Sequence, residues 1–443
     1  MKDRVAVIDV NTLLDRHSWS GLQKRFVLVV ALAVVIDGFD NQVLGLTIPS
    51  LSAEWHVGRE AFALVLALGI IGLSIGTALG GWLGDRFGRR TVLIGSVLVF
   101  GGVTAATCWV EGITQLTALR VLTGLGLGGA MPNATALLTE YTPARRQTLA
   151  VTLGIACIPL GGLIGGYLSA HLIPAFGWRS LYVFGGIAPM AVAAALGWGV
   201  PESPRFLASR PATWPRLATL LNRLLGKPMF SADTRFSNSL VEVRVPFKAI
   251  LSGEFRHDTL ALWAAFFTNL LAVYMFFNWM PTMLSLLNLR AAQVGIGAAL
   301  FNLGSLAGAL LGAGLMSKLG AKLIITCLCS GAVVGGLIFG MLHNATVLFA
   351  LLAFMGACTS GLQILLFAVA ARLYPTLMRS TGIGSALALG RLGAIVSSFA
   401  GTLMLELDAS GKPFFWFVST VMLLTLISVL QIRNLTLEAP RSP

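Results

Sequence analysis

Gly80-Gly81-Trp82-Leu83-Gly84-Asp85-Arg86-Phe87-Gly88-Arg89-Arg90 and Gly312-Ala313-Gly314-Leu315-Met316-Ser317-Lys318-Leu319-Gly320-Ala321-Lys322 are two versions of one loop, 232 residues apart. Glu140-Tyr141-Thr142-Pro143 and Arg372-Leu373-Tyr374-Pro375 repeat the same offset. Two separate loops sharing one spacing predict a chain built from two homologous halves. Apolar runs flank every one of these loops. Across the 443 residues 56% are hydrophobic and only 11% charged, with a mean hydropathy of +0.83. A soluble domain carries about 25% charged residues, so a soluble enzyme, a disordered chain and a disulfide scaffold are excluded. The runs are continuous rather than alternating, which argues against an outer-membrane barrel.

Spanning a bilayer takes about 20 apolar residues. Such runs fall at 26–50, 60–82, 91–110, 114–138, 148–171, 179–200, 259–286, 292–316, 321–341, 345–371, 380–405 and 413–432. The predicted fold is an all-α membrane protein with twelve transmembrane helices in two pseudo-symmetric six-helix halves. Its segments are a terminal stretch 1–22, a first half 23–200, a central loop 201–258, a second half 259–433 and a tail 434–443. Of the 31 Lys and Arg, 25 fall on the side shared by both termini and four on the other, so both termini are predicted to be cytoplasmic. The net charge of +13 follows from this loop bias and implies no nucleic-acid partner. Cys108, Cys157, Cys327, Cys329 and Cys358 lie in apolar runs without metal or disulfide spacing. No cleavable signal peptide is expected, because residues 1–22 are polar and the first apolar run is too long.

An ionisable residue inside a span costs about 2.5–3.5 kcal/mol on insertion scales, so each one requires a reason. Asp37 and Asp40 stand three apart in the first span, on one helix face. Arg120 lies in the fourth span and Arg391 in the eleventh. Asp37 and Arg391 are each about 11 residues, or ~17 Å, from a span end, near the midplane. Close carboxylates in low dielectric suit proton pick-up, and the planar guanidinium fork matches a substrate carboxylate. The alternatives are an internal ion pair joining the halves and, for Arg120, snorkelling to the nearer interface. Asn269 stands at the repeat position of Asp37 and Pro159 at that of Arg391, so each half carries a charge the other lacks. The glycines at 124, 126, 128 and 129 and at 154, 161, 162, 165 and 166 are expected to let helices pack closely.

Tyr274, Phe276, Phe277, Asn278 and Trp279 in the seventh span, with Gln363 and Phe367 in the tenth, are candidates to line a site for a planar ring. Lipid-facing or interfacial packing is the other reading of each aromatic. The loop bearing Asp85, Arg86, Arg89 and Arg90 is a candidate gate. Asp85 is expected at the N-terminus of the eleventh span near Arg379 and Ser380, and Arg89 is expected to pair with Glu140. None of the five histidines lies mid-span or beside a nucleophile, and no phosphate-cradling loop is present. The chain therefore reads as a non-enzyme without cofactor or metal, driven by an ion gradient or acting as a facilitator.

Residues 81–90 resemble the hallmark loop of the major facilitator superfamily, and Arg120 with Gly124 resembles its fourth-helix Arg motif. Ser317 and Ala321 depart from the loop pattern in the second copy. Asp37-Gly38-Phe39-Asp40, Gly129-Ala130-Met131-Pro132-Asn133-Ala134 and Gly390-Arg391-Leu392-Gly393-Ala394-Ile395 are similar to patterns of the aromatic acid:proton symporter family. That resemblance implies import of a benzoate- or hydroxybenzoate-type acid with protons through a bacterial inner membrane. It implies coupling roles for Asp37 and Asp40 and a transport role for Arg391. The chain is expected to act as a monomer in the bilayer. Pro201-Glu202-Ser203-Pro204-Arg205-Phe206-Leu207 also resembles a sugar-porter segment, so a sugar or another organic acid is the alternative cargo.

Overall fold

A computed structural model describes residues 8–16, 19–237, 247–339, 344–375, 377–408 and 410–433. The expected tail 434–443 lies outside these residues, as do parts of the terminal stretch and of the central loop. A short helix α1 (Val10–Arg16) precedes the first half, which comprises α2 (Gly21–Trp55), α3 (Glu60–Phe87), α4 (Arg89–Ala106), α5 (Ile113–Glu140), α6 (Ala144–Phe176) and α7 (Arg179–Gly199). Two short helices, α8 (Pro204–Ala208) and α9 (Trp214–Leu225), follow. The second half comprises α10 (Phe255–Leu286), α11 (Ala291–Leu319), α12 (Ala321–Ile338), α13 (Ala345–Gly356), α14 (Leu362–Leu373), α15 (Arg379–Leu407) and α16 (Lys412–Leu430). A π-helical turn, Ala357–Gly361, fuses α13 and α14 into one span. Among the described residues twelve spans are thus long and apolar enough to cross a membrane, as the apolar runs predict.

The helices outrun the apolar windows because their ends are capped in polar sequence. α2 begins at Gly21, where the Ser20 hydroxyl accepts from the Gln23 amide while Gln23 accepts from the Ser20 amide. It stops at His56, which adopts the left-handed conformation. α10 starts at Phe255, inside the stretch expected to be loop. That central stretch is also more ordered than its polarity suggests. A two-residue strand β1 (Ile8–Asp9) pairs in parallel with β2 (Phe236–Ser237). The Asp15 carboxylate accepts from the Ala144 amide at 2.7 Å and caps α6. Leu217 and Leu221 of α9 pack with Val10, Leu14, Leu138 and Tyr141.

Within the first half, glycines bring backbones into contact. A Cβ on Gly76 would fall 2.2 Å from the Leu125 carbonyl oxygen, and one on Gly128 2.2 Å from that of Leu73, so α3 and α5 interlock. Gly38 and Gly161 do the same between α2 and α6. The glycines that follow Arg120 therefore serve packing, as their spacing suggests.

The two halves meet along α2 with α10, α3 with α15 and α6 with α11. Their union is one-sided. A single apolar core runs from Val43–Leu51, Phe62, Leu66, Leu116 and Tyr182 into the whole second half. These first-half residues lie toward the end of the bundle away from the termini. The first half's core at the terminal end, around Phe26, Leu93, Leu137 and Leu196, is separate and joins α1, α8 and α9 instead. The bundle is closed at the far end and parted at the terminal end.

Gly76→Ala is expected to destabilise the fold by ~1–3 kcal/mol, because nothing around the backbone contact can yield. Gly81→Ala, with open space around its Cβ, is expected to be neutral. Thermal unfolding of both purified variants checks this, and equal melting temperatures would contradict the interlocked geometry.

Candidate functional site

The membrane-embedded charges divide into two sets. Asp40 is fully buried on α2; its Oδ1 accepts from the Thr104 hydroxyl at 2.6 Å, and its Oδ2 lies 3.4 Å from Nη1 of Arg120. Arg120 also donates from Nη2 to the Tyr182 hydroxyl at 3.5 Å, and that hydroxyl is 2.9 Å from Thr47 Oγ1. Asp40, Thr104, Arg120, Tyr182 and Thr47 come from α2, α4, α5 and α7, so the network lies within the first half. Arg120 is only 8% exposed and points into the bundle. The snorkelling alternative is not taken, because Asp40 offers a nearer charge than the interface does.

Asp37 is partnered differently. It is 2% exposed, and its Oδ1 accepts no hydrogen bond. Its electrostatic neighbours are Asp40 and, from the other half, Arg391. Arg391 is half-buried and makes no hydrogen bond or ion pair among the described residues; it acts at longer range on Asp37 and Tyr274. An acid on α2 and a cation on α15, neither in an ion pair among the described residues, thus feel each other's charge across the seam between the halves.

A small cleft of about 40 Å³ opens between α2, α3, α5 and α10. Asn41, Leu44, Ile70, Arg120, Tyr274 and Asn278 are among its walls, and Asn278 Nδ2 is buried without a partner. Tyr274 and Asn278 are thus brought to the site. Trp279 is not, since its fully buried ring lies on Gly401 of α15. Phe276 and Phe277 stack into the second half's core with Phe301. Gln363 lies deeper in the second half, accepting from Asn269 at 2.7 Å. Behind the cleft, Gln42 and Asn302 exchange reciprocal amide hydrogen bonds of 3.0 and 2.8 Å between α2 and α11. A Cβ on Gly162 would strike both amides. Two amides 260 residues apart leave no signature in the sequence.

The loop after α3 differs from expectation. Arg89 pairs with Asp85, one turn earlier, at 2.5 Å, and not with Glu140. The Glu140 carboxylate takes the Ser203 hydroxyl instead. Asp85 is 70% exposed and makes no hydrogen bond to α15 among the described residues, which accords with the parted terminal end. Arg86 lies over the Trp82 and Phe87 rings, and its carbonyl accepts from Arg210. Arg90 donates to the Leu196 and Gly197 carbonyls. Glu202, which the sequence reading did not single out, accepts from the Arg90 amide at 2.9 Å and the Thr91 amide at 3.4 Å, capping α4. Gly88, at φ 104°, makes room: a Cβ there would meet the Glu202 carboxylate at 2.3 Å.

Asp37→Asn is expected to leave thermal stability nearly unchanged, since no hydrogen bond to Oδ1 is lost. Asp40→Asn leaves Arg120 buried without its counter-charge, a class of change worth about 3–5 kcal/mol. Unfolding midpoints of the two variants check this, and equal destabilisation would contradict the division of charges.

The sequence profile of the Major Facilitator Superfamily matches residues 30–292 and again 262–442. The 4-hydroxybenzoate transporter PcaK of Pseudomonas putida is 37% identical over 404 residues, 90% of either chain. The gallate transporter of the same organism is 37% identical over 408 residues, 91% of this chain and 90% of that one. The inward open conformation of the xylose transporter XylE from E. coli superposes with a TM-score of 0.74 at 19% identity, covering 95% of this chain and 98% of that one. The chain belongs to the major facilitator superfamily and groups within it with aromatic acid transporters.

Proposed function

We propose that the protein imports a small aromatic carboxylate of the benzoate or hydroxybenzoate class together with protons, by rocking of its two halves. The observation that carries this reading is that Asp37 and Arg391, neither in an ion pair among the described residues, feel each other's charge from opposite halves. The names of the two relatives, a 4-hydroxybenzoate and a gallate transporter, support the cargo class. Once Asp37 is protonated, an uncharged sugar would leave Arg391 without a counter-charge in low dielectric, so the charge pattern favours an acid.

With Asp37 ionised, its charge holds Arg391 electrostatically and repels an incoming carboxylate. A proton on Asp37 removes both effects, and Arg391 then offers its planar fork to the substrate. Proton and carboxylate are thus held together and cross together. Asp40 and Arg120 form a second pair, closed within the first half, that a proton on Asp40 would loosen. The Lys and Arg bias puts the terminal end in the cytoplasm of a bacterial inner membrane, so the described state faces inward. Outward opening would part the far-end core and close the terminal end, bringing the loop of Asp85, Arg86, Arg89 and Arg90 toward α15. The proposed carrier works as a monomer and draws on the proton gradient rather than on a cofactor.

In proteoliposomes, Asp37→Asn is expected to keep substrate counterflow but lose gradient-driven accumulation. Arg391→Lys is expected to weaken binding by about 10–100-fold despite its retained charge, as loss of a charge-assisted hydrogen bond does. Full accumulation by the first variant, or native affinity in the second, would overturn these assignments.

A further inference from the structure

The second half contains a polar cluster that the coupling scheme does not use. Asn269 of α10 donates from Nδ2 to Oε1 of Gln363 on α14 at 2.7 Å and to the Thr359 carbonyl at 3.4 Å. This leaves Asn269 Oδ1, an acceptor, and Gln363 Nε2, a donor, both buried without partners. Ser360 Oγ is a third unpartnered atom. Asn269 is fully buried, Ser360 5% and Gln363 7% exposed. Three unmet polar atoms on one pair of neighbouring helices are costly to keep unless something fills them. Thr359 and Ser360 also lie on the π-helical turn Ala357–Gly361, a local departure that marks functional positions in helices.

The cluster lies at the depth of the proposed carboxylate site. Asn269 is the repeat counterpart of Asp37. Gly390 and Gly393, which flank Arg391, press onto α10 at the Phe266 and Phe267 carbonyls on the turn that carries Asn269. Phe266 and the half-buried Phe367 meet edge to face at 5.3 Å, one turn from Asn269 and Gln363. The layer therefore holds aromatic edges, an unpartnered acceptor, an unpartnered donor and the Ser360 hydroxyl, packed against the α15 turn that carries Arg391.

A phenolic hydroxyl both donates and accepts. We propose that Asn269 and Gln363 recognise a ring hydroxyl on the cargo, Asn269 Oδ1 accepting from it and Gln363 Nε2 donating to it, so that hydroxylated aryl carboxylates are selected over unsubstituted ones. The inference rests on the aromatic-acid reading and adds to it the residues that read the ring. A ring bearing hydrogen or methyl at that point leaves both amide atoms unmet, and a site built for a hydroxyl discriminates strongly against such analogues.

Isothermal titration of the purified native protein with 4-hydroxybenzoate, 4-methylbenzoate, 3-hydroxybenzoate and 3-methylbenzoate tests this. Methyl matches hydroxyl in size but forms no hydrogen bond. At one ring position the hydroxy acid is expected to bind at least about 10-fold tighter than its methyl analogue. Gln363→Met is expected to bring that ratio close to one while the methyl acid still binds. Equal affinities in the native protein, or an unchanged ratio in Gln363→Met, would overturn the hydroxyl assignment while leaving the aromatic-acid reading standing. Failure of the folded native protein to bind any of the four acids would overturn both. The native comparison needs no variant, so it decides the matter even if Gln363→Met does not fold.

Discussion

The structure depends on how four ionisable side chains within the spans are partnered. A charge in the bilayer interior survives only if another group compensates it. Asp40 and Arg120 are compensated locally, by each other and by the Thr104 and Tyr182 hydroxyls, inside one half. Asp37 and Arg391 make no ion pair among the described residues and are compensated only at longer range across the seam, Arg391 by Tyr274 and Asp37. The first arrangement stabilises a half; the second makes the relation between halves depend on protonation and on an anionic ligand. A pair buried in the same helix bundle as Asp40 and Arg120 would give no such dependence.

That division matters only if each half moves as a unit. The interlocked glycines of α3 with α5 and of α2 with α6 bring backbones too close to slide independently. Between the halves the close contacts gather toward the far end: Gly45 of α2 presses onto Phe277 and Gly166 of α6 onto Ala299, beside the shared apolar core, with the Gln42–Asn302 amide pair near mid-depth. A seam that is tight at one end and parted at the other is the geometry of two rigid bodies tilted about a central line. The loop after α3 fits the same picture. Its charges are satisfied within the first half, Arg89 by Asp85 and the α4 N-terminus by Glu202, so the terminal end parts without leaving charges bare.

Most of the fold was legible because bilayer thickness imposes one span length and the duplicated loops expose the repeat. Asp37, Asp40, Arg120 and Arg391 were legible for a related reason, since charge within an apolar run is conspicuous. The partners were not. Which acid Arg120 takes, and that Arg89 takes Asp85 rather than Glu140, depends on side-chain reach within a few ångströms, which spacing along the chain does not encode. Gln42 with Asn302, and Asn269 with Gln363, escaped for a second reason: amides in spans are common enough that only their meeting in space gives them meaning. Trp279 illustrates the reverse error, an aromatic at a suggestive position whose ring fills the gap over Gly401.

The central claim is that an aryl carboxylate and a proton move together through one site. Its most direct test is uptake of labelled 4-hydroxybenzoate into proteoliposomes of the purified protein, with and without an inward proton gradient, with glucose as control. The account predicts accumulation of the acid above its external concentration only when the gradient is present, collapse of that accumulation by a protonophore, and no glucose uptake. Acid uptake that merely equilibrates and ignores the gradient, or glucose uptake without acid uptake, would contradict it.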